Sequence, residues 1–280
     1  MADIRKISPV YLTIMYIIVS LFAILAIYPI FWVIMQSFKT TQEYVVASKL
    51  ALPTTWFYMN YPLAWQAGQF HVLIGNSLIY TSVTVVSIII LSFMAGFAFA
   101  KLPSKITPIL HGSFIIGILI TLQCIMVPLF LLVNAVGLYN TRLGVLIPYI
   151  GIGLPMAVYL ATAYIKGIPD EIIESARIDG AKYIIIFSAI IMPMAAPVAT
   201  TVAILTVTGT WNEFMLINIL VSSDSLKSIP IGIYMFSGAL ASDFGKQFAA
   251  LVIGMTPMIV FYIIFRKQIT KGVSAGAVKG

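Results

Sequence analysis

Four of the nine acidic residues of this 280-residue chain lie within ten positions: Asp170, Glu171, Glu174 and Asp179. The sequence on both sides of them is almost entirely apolar. Carboxylates grouped in this way can act as a general acid and base, or they can form a charged surface on which another protein docks. Which of these two roles applies depends on where the surrounding elements place the segment.

A second polar set lies further along the chain, within an apolar stretch: Thr208, Trp211, Asn212 and Glu213. Hydroxyl, amide and carboxylate groups hydrogen-bond to polar solutes, and an aromatic ring can cover the face of a sugar. These residues are candidates for lining the path of a neutral, hydroxyl-rich solute. The alternative is that Thr and Asn join neighbouring helices by hydrogen bonds within a membrane.

Other catalytic chemistry finds little support in the sequence. Cys124 is the only cysteine, and His71 and His111 are the only histidines. They show no metal-ligand spacing and no Ser/His/Asp or Cys/His arrangement. No G-x-x-x-x-G-K-[ST] phosphate loop occurs, so the chain is not itself a P-loop ATPase. We therefore expect a non-catalytic chain that holds no cofactor of its own.

The composition is that of an integral membrane protein. Hydrophobic residues make up 61% of the chain and charged residues 9%, and the mean hydropathy is +1.05. Soluble domains carry roughly 25% charged residues, so this chain has too few to cover a globule in water. The net charge of +7 is better explained by Lys and Arg beside membrane spans than by binding to nucleic acid.

Six stretches are apolar enough to span a membrane, which takes about 20 residues. The first is longer than the apolar region of a cleaved signal peptide, so we expect it to be retained. Two shorter stretches, 183–192 and 229–242, are typical of interfacial or re-entrant segments. The predicted spans are 11–35, 72–99, 109–133, 143–165, 198–220 and 247–265.

The distribution of basic residues predicts the orientation of these spans. Eleven of the 16 Lys and Arg residues fall on one side, in the two termini, the 100–108 turn and the 166–197 loop. Because basic residues accumulate on the cytoplasmic side, both termini and these loops are predicted to be cytoplasmic. The 36–71 and 221–246 loops are then predicted to lie outside.

The acidic segment has the local signals of a short helix over about 169–179. Pro169 suits the first helical position, where its missing N–H is not needed. Asp170 and Glu171 follow in the first turn, where the helix dipole favours negative charge. Gly180 stands where a helix commonly ends.

Two interpretations of this helix remain open from the residues alone. In one, it is a solvated surface helix, with Glu174 and Arg177 able to pair across one turn. In the other, it is a docking surface for a cytoplasmic partner, because the small side chains of Ser175, Ala176 and Ala181 let another protein approach closely.

A family pattern matches this segment in order and spacing at Glu174, Ala176, Asp179, Gly180, Ala181, Phe187, Ile190, Pro193 and Pro197. The segment resembles the EAA loop of permease subunits of ABC importers, with Ser175 where the family usually has Ala. Other stretches are similar to the maltose-type branch of carbohydrate importers, and the C-terminus resembles its second permease subunit. These stretches are YPIFWVIMQSFKT (28–40), NYPLAW (60–65), NSLIYT (76–81), GLYNTRLGVLIPY (137–149), TWNEF (210–214) and SAGAVKG (274–280).

This resemblance implies an all-α integral membrane protein with six transmembrane helices, the type I ABC importer permease fold, as a single domain over 1–280. The loop at about 166–197 would hold a coupling helix, at 169–181, that sits in a cleft of a cytoplasmic ATPase. The residues implied in that contact are Glu174, Ser175, Ala176, Asp179, Gly180 and Ala181.

The resemblance also implies the partners and the location of the chain. A second permease subunit would form a heterodimer with it, and two ATPase subunits would bind ATP and Mg. An extracytoplasmic solute-binding protein would deliver a carbohydrate. The chain would lie among the lipids of the cytoplasmic membrane of a bacterium or an archaeon.

Two other function classes are compatible with a chain of this composition. An ion-coupled secondary transporter acting without an ATPase keeps ionisable residues within its spans. Here only His111 and Glu213 meet that condition, and neither has an evident partner there. A membrane enzyme would need a catalytic cluster, and the one dense acidic group fits docking better than catalysis.

Overall fold

The structure is a computed structural model that describes residues 8–102, 104–239 and 243–277. Its described residues are mostly helical, and no β-strand occurs among them. The helices are α1 (Pro9–Ser37), α2 (Thr41–Val46), α3 (Asn60–Ala67), α4 (Phe70–Lys101), α5 (Thr107–Leu119), α6 (Leu122–Ala135), α7 (Arg142–Lys166), α8 (Asp170–Ile178), α9 (Tyr183–Ile185), α10 (Met192–Met194), α11 (Ala196–Trp211), α12 (Met215–Leu220), α13 (Ile229–Ala239) and α14 (Phe244–Ala277).

Four of the six predicted spans coincide with continuous helices. The stretches 11–35, 72–99, 143–165 and 247–265 lie inside α1, α4, α7 and α14. Each of these helices is long and apolar enough to cross a membrane. Long apolar runs therefore predicted these elements well, because helices satisfy all of their backbone groups within the segment.

The predicted span 109–133 is broken in the structure. Helices α5 and α6 meet at an angle of 107°. The residues between them, Ile120 and Thr121, have extended backbone with ψ of 114° and 149°. Both side chains are β-branched, which lowers helix propensity and favours extended backbone.

The predicted span 198–220 is also broken, because α11 ends at Trp211 and α12 begins at Met215. The short stretch 183–192 is helical and includes a π-helical turn over Ile186–Ile191. The helical segment from Tyr183 to Met194 meets α11 at 76°. If each bent pair is one span, the described residues contain up to six spans.

The described residues pack as two compact groups. The smaller group runs up to residue 69 and includes 233–257, and the larger group comprises 70–232 with 258 onward. The prediction of a single permease domain is not tested by this grouping.

A carboxylate organises the loop between α2 and α3 in the smaller group. Glu43 accepts hydrogen bonds from the backbone N–H and the hydroxyl of Thr54, at 2.5 and 2.8 Å, and from the Thr55 hydroxyl at 3.3 Å. Burial, the largest single influence, raises the pKa of Glu43, but these hydrogen bonds and the nearby Lys39 charge lower it below its ordinary value.

In the larger group, α4 packs along α7 and also contacts α11. The backbones of α4 and α7 approach closely at Gly96, where an added Cβ would lie 2.9 Å from the Ala161 Cβ. A second close contact joins Gly153 to Ile88, since a Cβ on Gly153 would lie 2.3 Å from the Ile88 Cδ1. Small residues at these two positions therefore let the helices pack tightly.

Candidate functional site

The acidic segment forms the predicted short helix, α8. Pro169 has extended backbone just before its first turn, and Asp170 and Glu171 lie in that turn. At the other end Gly180 has a φ of +82°, a conformation that favours glycine. The N–H of Ala181 donates to the Ala176 carbonyl at 2.9 Å, which closes the helix end.

One face of α8 is packed against the core of the larger group. Ile173 is buried, and Ile172 and Ala176 lie against a cluster that includes Phe97 of α4 and Ile186. This apolar face holds the helix on the rest of the group.

The opposite face of α8 is open. Of the six predicted coupling residues, Glu174, Ser175, Asp179 and Gly180 are exposed, whereas Ala176 and Ala181 are partly buried. Ile178 is 86% exposed. The sequence analysis did not single out Ile178, although an apolar residue between Arg177 and Asp179 breaks the polar character of that turn.

Both ends of α8 are tied to neighbouring elements by polar contacts. Lys101 donates to the Ile168 carbonyl at 2.5 Å and forms an ion pair with Asp170 at 2.6 Å. Arg177 donates to the Tyr183 hydroxyl, and its guanidinium lies 4.8 Å from the centre of that ring. Glu174 and Arg177, whose spacing would allow them to pair, form no ion pair among the described residues, because Arg177 contacts the Tyr183 ring instead.

A cavity of about 390 Å³ lies within the larger group. Most of its wall is apolar and comes from α4, α7 and α11, including Ile88. Four of its lining residues carry hydrogen-bonding side chains: Tyr149, Thr206, Thr210 and Glu213. The cavity is therefore an apolar space with a few polar groups, as is common for binding sites of small molecules.

Glu213 occupies the break between α11 and α12. Its carboxylate accepts from the Tyr149 hydroxyl at 2.7 Å and from the backbone N–H groups of Leu216 and Ile217 at 2.8 and 3.3 Å. The last two bonds satisfy the N–H groups that the first turn of α12 leaves without a helical partner. The break thus has a physical reason, because Glu213 starts a new helix.

The other three predicted path residues do not line the cavity. The Thr208 hydroxyl donates to the Ile204 carbonyl at 2.9 Å, and the Asn212 amide donates to the Thr208 carbonyl at 2.9 Å. Trp211 is buried, with 6% of its surface exposed. Of the predicted set, only Glu213 faces the cavity.

Thr206 and Thr210 were missed by the sequence analysis. Within the described residues their hydroxyls form no hydrogen bond with the chain, and both residues line the cavity. Their spacing could have revealed them: Thr206, Thr210 and Glu213 are four and three residues apart and therefore share one helical face.

A family profile described as "Binding-protein-dependent transport system inner membrane component" matches residues 4–274. The chain belongs to this family. It is an inner-membrane permease that crosses the membrane several times. Membership in a binding-protein-dependent family disfavours the alternative of a secondary transporter acting alone.

Two curated relatives resemble the permease over nearly their whole lengths. "Putative ABC transporter permease protein ORF2" of Caldicellulosiruptor sp. (strain Rt8B.4) is 33% identical over 265 residues, covering 95% of the permease and 96% of the relative. "Multiple sugar-binding transport system permease protein MsmG" of Streptococcus mutans serotype c (strain ATCC 700610 / UA159) is 31% identical, covering 94% and 96%.

The permease also shares its fold with a chain of a bacterial ABC transporter "involved in the import of the acidic polysaccharide alginate". The TM-score is 0.80 at 21% identity, with 95% of the permease and 98% of that chain covered. This likeness confirms the predicted all-helical importer permease fold.

Proposed function

We propose that the permease is the transmembrane subunit of an ATP-driven importer that moves a sugar or oligosaccharide into the cytoplasm. The observation that carries the proposal is the two-sided construction of α8. One face is packed on the core through Ile173, and the other presents Glu174 and Ile178 to the surroundings. A helix held in this way can receive a partner on its open face and move the elements packed behind it.

The partner on that face would be one of two cytoplasmic ATPase subunits, which would bind the ATP and Mg. Its docking contacts would be the exposed residues Glu174, Ser175, Asp179, Gly180 and Ile178. The partly buried Ala176 and Ala181 would keep α8 close to its own core. The chain itself would need no cofactor and catalyse no reaction.

The orientation follows from the distribution of basic residues. The side with eleven of the 16 Lys and Arg residues would be cytoplasmic, which places both termini and the 166–197 loop there. A second permease subunit would complete the pore. An extracytoplasmic solute-binding protein would deliver the solute from the other side.

The substrate class is supported by the cavity. The hydroxyls of Thr206 and Thr210 are free to bind a solute hydroxyl, and the Tyr149 ring lines the same space. Uncharged hydroxyl and aromatic groups suit a carbohydrate, and the name of the relative MsmG includes multiple sugars. We therefore propose that Glu213 lines the solute path together with Thr206, Thr210 and Tyr149. These residues take the place of Thr208, Trp211 and Asn212 in the predicted set.

Reconstitution tests this function. The chain, its partner permease and the ATPase subunits are placed in lipid vesicles, and uptake of labelled trehalose, diacetylchitobiose, maltotriose and raffinose is followed with the binding protein. We expect uptake of at least one sugar to require ATP. Uptake by this chain alone, unaffected by ATP, would support the secondary transporter instead.

Gly180 gives a matched test of the docking role. Its φ of +82° strains any residue with a Cβ, most of all a β-branched one, whereas Asn tolerates this conformation. In Gly180→Val, transport should fall while the separate ATPase subunits still hydrolyse ATP. Gly180→Asn should lose less transport than Gly180→Val, because Asn tolerates this backbone conformation and no atom of this chain lies within 4 Å of an added Cβ. Normal transport in both variants would count against the coupling role.

A further inference from the structure

The start of α8 is fastened to the end of α4 by a single side chain. Lys101, the last residue of α4, reaches the Ile168 carbonyl at 2.5 Å and the Asp170 carboxylate at 2.6 Å. The Lys101 side chain is only 5% exposed, whereas that of Asp170 is 73% exposed. The ammonium group is thus enclosed at the joint.

An enclosed ammonium group needs partners, because burying a charge without them is costly. Lys101 has one charged partner and one backbone partner, and both lie at the beginning of α8. The cation also lies at the C-terminus of α4, where the helix dipole favours positive charge. These contacts fix both the distance and the direction between α4 and α8.

An apolar cluster also links these two helices, but it is less specific. Ile173 of α8 belongs to the same buried cluster as Phe97 of α4. Apolar burial resists separation of the helices, but it is not directional. Among the described residues, only the Lys101 contacts define the position of α8 along α4 by hydrogen bonds.

Helix α4 continues from this joint to the cavity. Ile88, which lines the cavity, lies 13 residues before Lys101 in the same helix, a distance of about 20 Å at 1.5 Å per residue. At Ile88 and Gly96 the helix packs closely on α7. A displacement at Lys101 therefore reaches the cavity wall through one continuous helix.

We propose that Lys101 is a positioning residue that transfers the movement of α8 to α4 during transport. This inference rests on the proposed function, since it needs an ATPase that moves α8. Without the Lys101 contacts, α8 can slide on its apolar face while α4 stays in place. ATP hydrolysis then continues, but less of it is converted into transport.

The test measures how much sugar the whole reconstituted importer transports for each ATP that it hydrolyses. The sugar is the one among trehalose, diacetylchitobiose, maltotriose and raffinose that the wild type takes up best. In Lys101→Met this ratio should fall about 2- to 30-fold, the range seen for residues that carry coupling between sites. Lys101→Arg keeps the charge and the donors, so its ratio should stay near that of the wild type.

Lys105 provides the matched control. It lies four residues after Lys101, is exposed, and forms no ion pair among the described residues. Lys105→Met removes the same charge four residues away without touching α8, so its ratio should equal that of the wild type. A merely structural loss in Lys101→Met would reduce the amount of assembled importer without changing the ratio per assembled importer.

A wild-type ratio in Lys101→Met overturns the inference. If that variant fails to assemble, Asp170→Asn decides, because the Asn amide oxygen can still accept a hydrogen bond from Lys101 while the charge of the ion pair is lost. A lowered ratio then supports the role of the joint, and an unchanged ratio overturns it. A wild-type importer whose uptake ignores ATP would instead overturn the proposed function.

Discussion

The permease carries acidic residues in two apolar surroundings and uses them in opposite ways. On α8 the carboxylate of Glu174 is exposed and forms no ion pair among the described residues. At the break between α11 and α12 the carboxylate of Glu213 accepts three hydrogen bonds from Tyr149, Leu216 and Ile217. The exposed acid is available to another protein, whereas Glu213, which also lines the cavity, is bound by its own chain and caps α12.

The strongest test of this contrast removes each carboxylate in turn. Glu213→Ala leaves two N–H groups of α12 and the Tyr149 hydroxyl without their acceptor, so the free energy of unfolding should fall by about 2–4 kcal/mol. Glu174→Ala should change it by less than about 0.5 kcal/mol, because the residue is exposed. Thermal unfolding in detergent, followed by circular dichroism, measures both.

The same pair of variants should behave differently in transport. Glu174→Ala should lower transport while stability is retained, if α8 docks an ATPase. Equal losses of stability in the two variants would contradict the assignment of Glu213 as a cap.

A smaller effect is expected from the threonines of α11, which differ in what they face. Thr206→Val removes a hydroxyl that is open to the cavity, so the sugar concentration for half-maximal uptake should rise about 2- to 10-fold, as for the loss of one hydrogen bond. Thr208→Val removes a hydroxyl that bonds to the Ile204 carbonyl, so uptake should be unchanged. If Thr208→Val impaired uptake more than Thr206→Val, the solute path would instead lie along the helical face of Thr208, as predicted from the sequence.

The smallest effect concerns Glu43, a third carboxylate, which binds Thr54 and Thr55 in its own loop. Because its pKa is lowered in the folded state, its contribution to stability is present above the ordinary Glu pKa and is lost as the pH falls through the lowered value. Glu43→Gln should therefore slightly flatten the acid side of the stability profile. Thermal unfolding between about pH 3 and 7 measures it, and an unchanged acid side would contradict the role of these hydrogen bonds.

The contrast between α8 and the α11–α12 break also explains what the sequence could predict. The signals of α8 are local: Pro169, Asp170 and Gly180 act on their own helix, so its bounds were predicted to within one or two residues. The ion pair of Asp170 with Lys101, 69 positions away, was not predicted, because it depends on where the end of α4 packs.

The break at Glu213 depends on a residue 64 positions away, because Tyr149 supplies one of its hydrogen bonds. Hydropathy averages over such a break, so 198–220 was predicted as one span. Whether the Thr206 face or the Thr208 face of α11 lines the cavity likewise depends on where α4 and α7 pack. A nearly uniform apolar sequence does not reveal this packing.

The π-helical turn over Ile186–Ile191 bears on how chains of this kind can change in length. A π-turn accommodates one residue more than an α-turn does, usually as a single insertion in an α-helix. Both Ile186 and Ile191 are fully buried, so the extra residue is absorbed between two fixed anchor points. Deleting one residue between them would restore ordinary helical spacing, so we expect a one-residue deletion in this turn to leave the ends of the flanking helices in place.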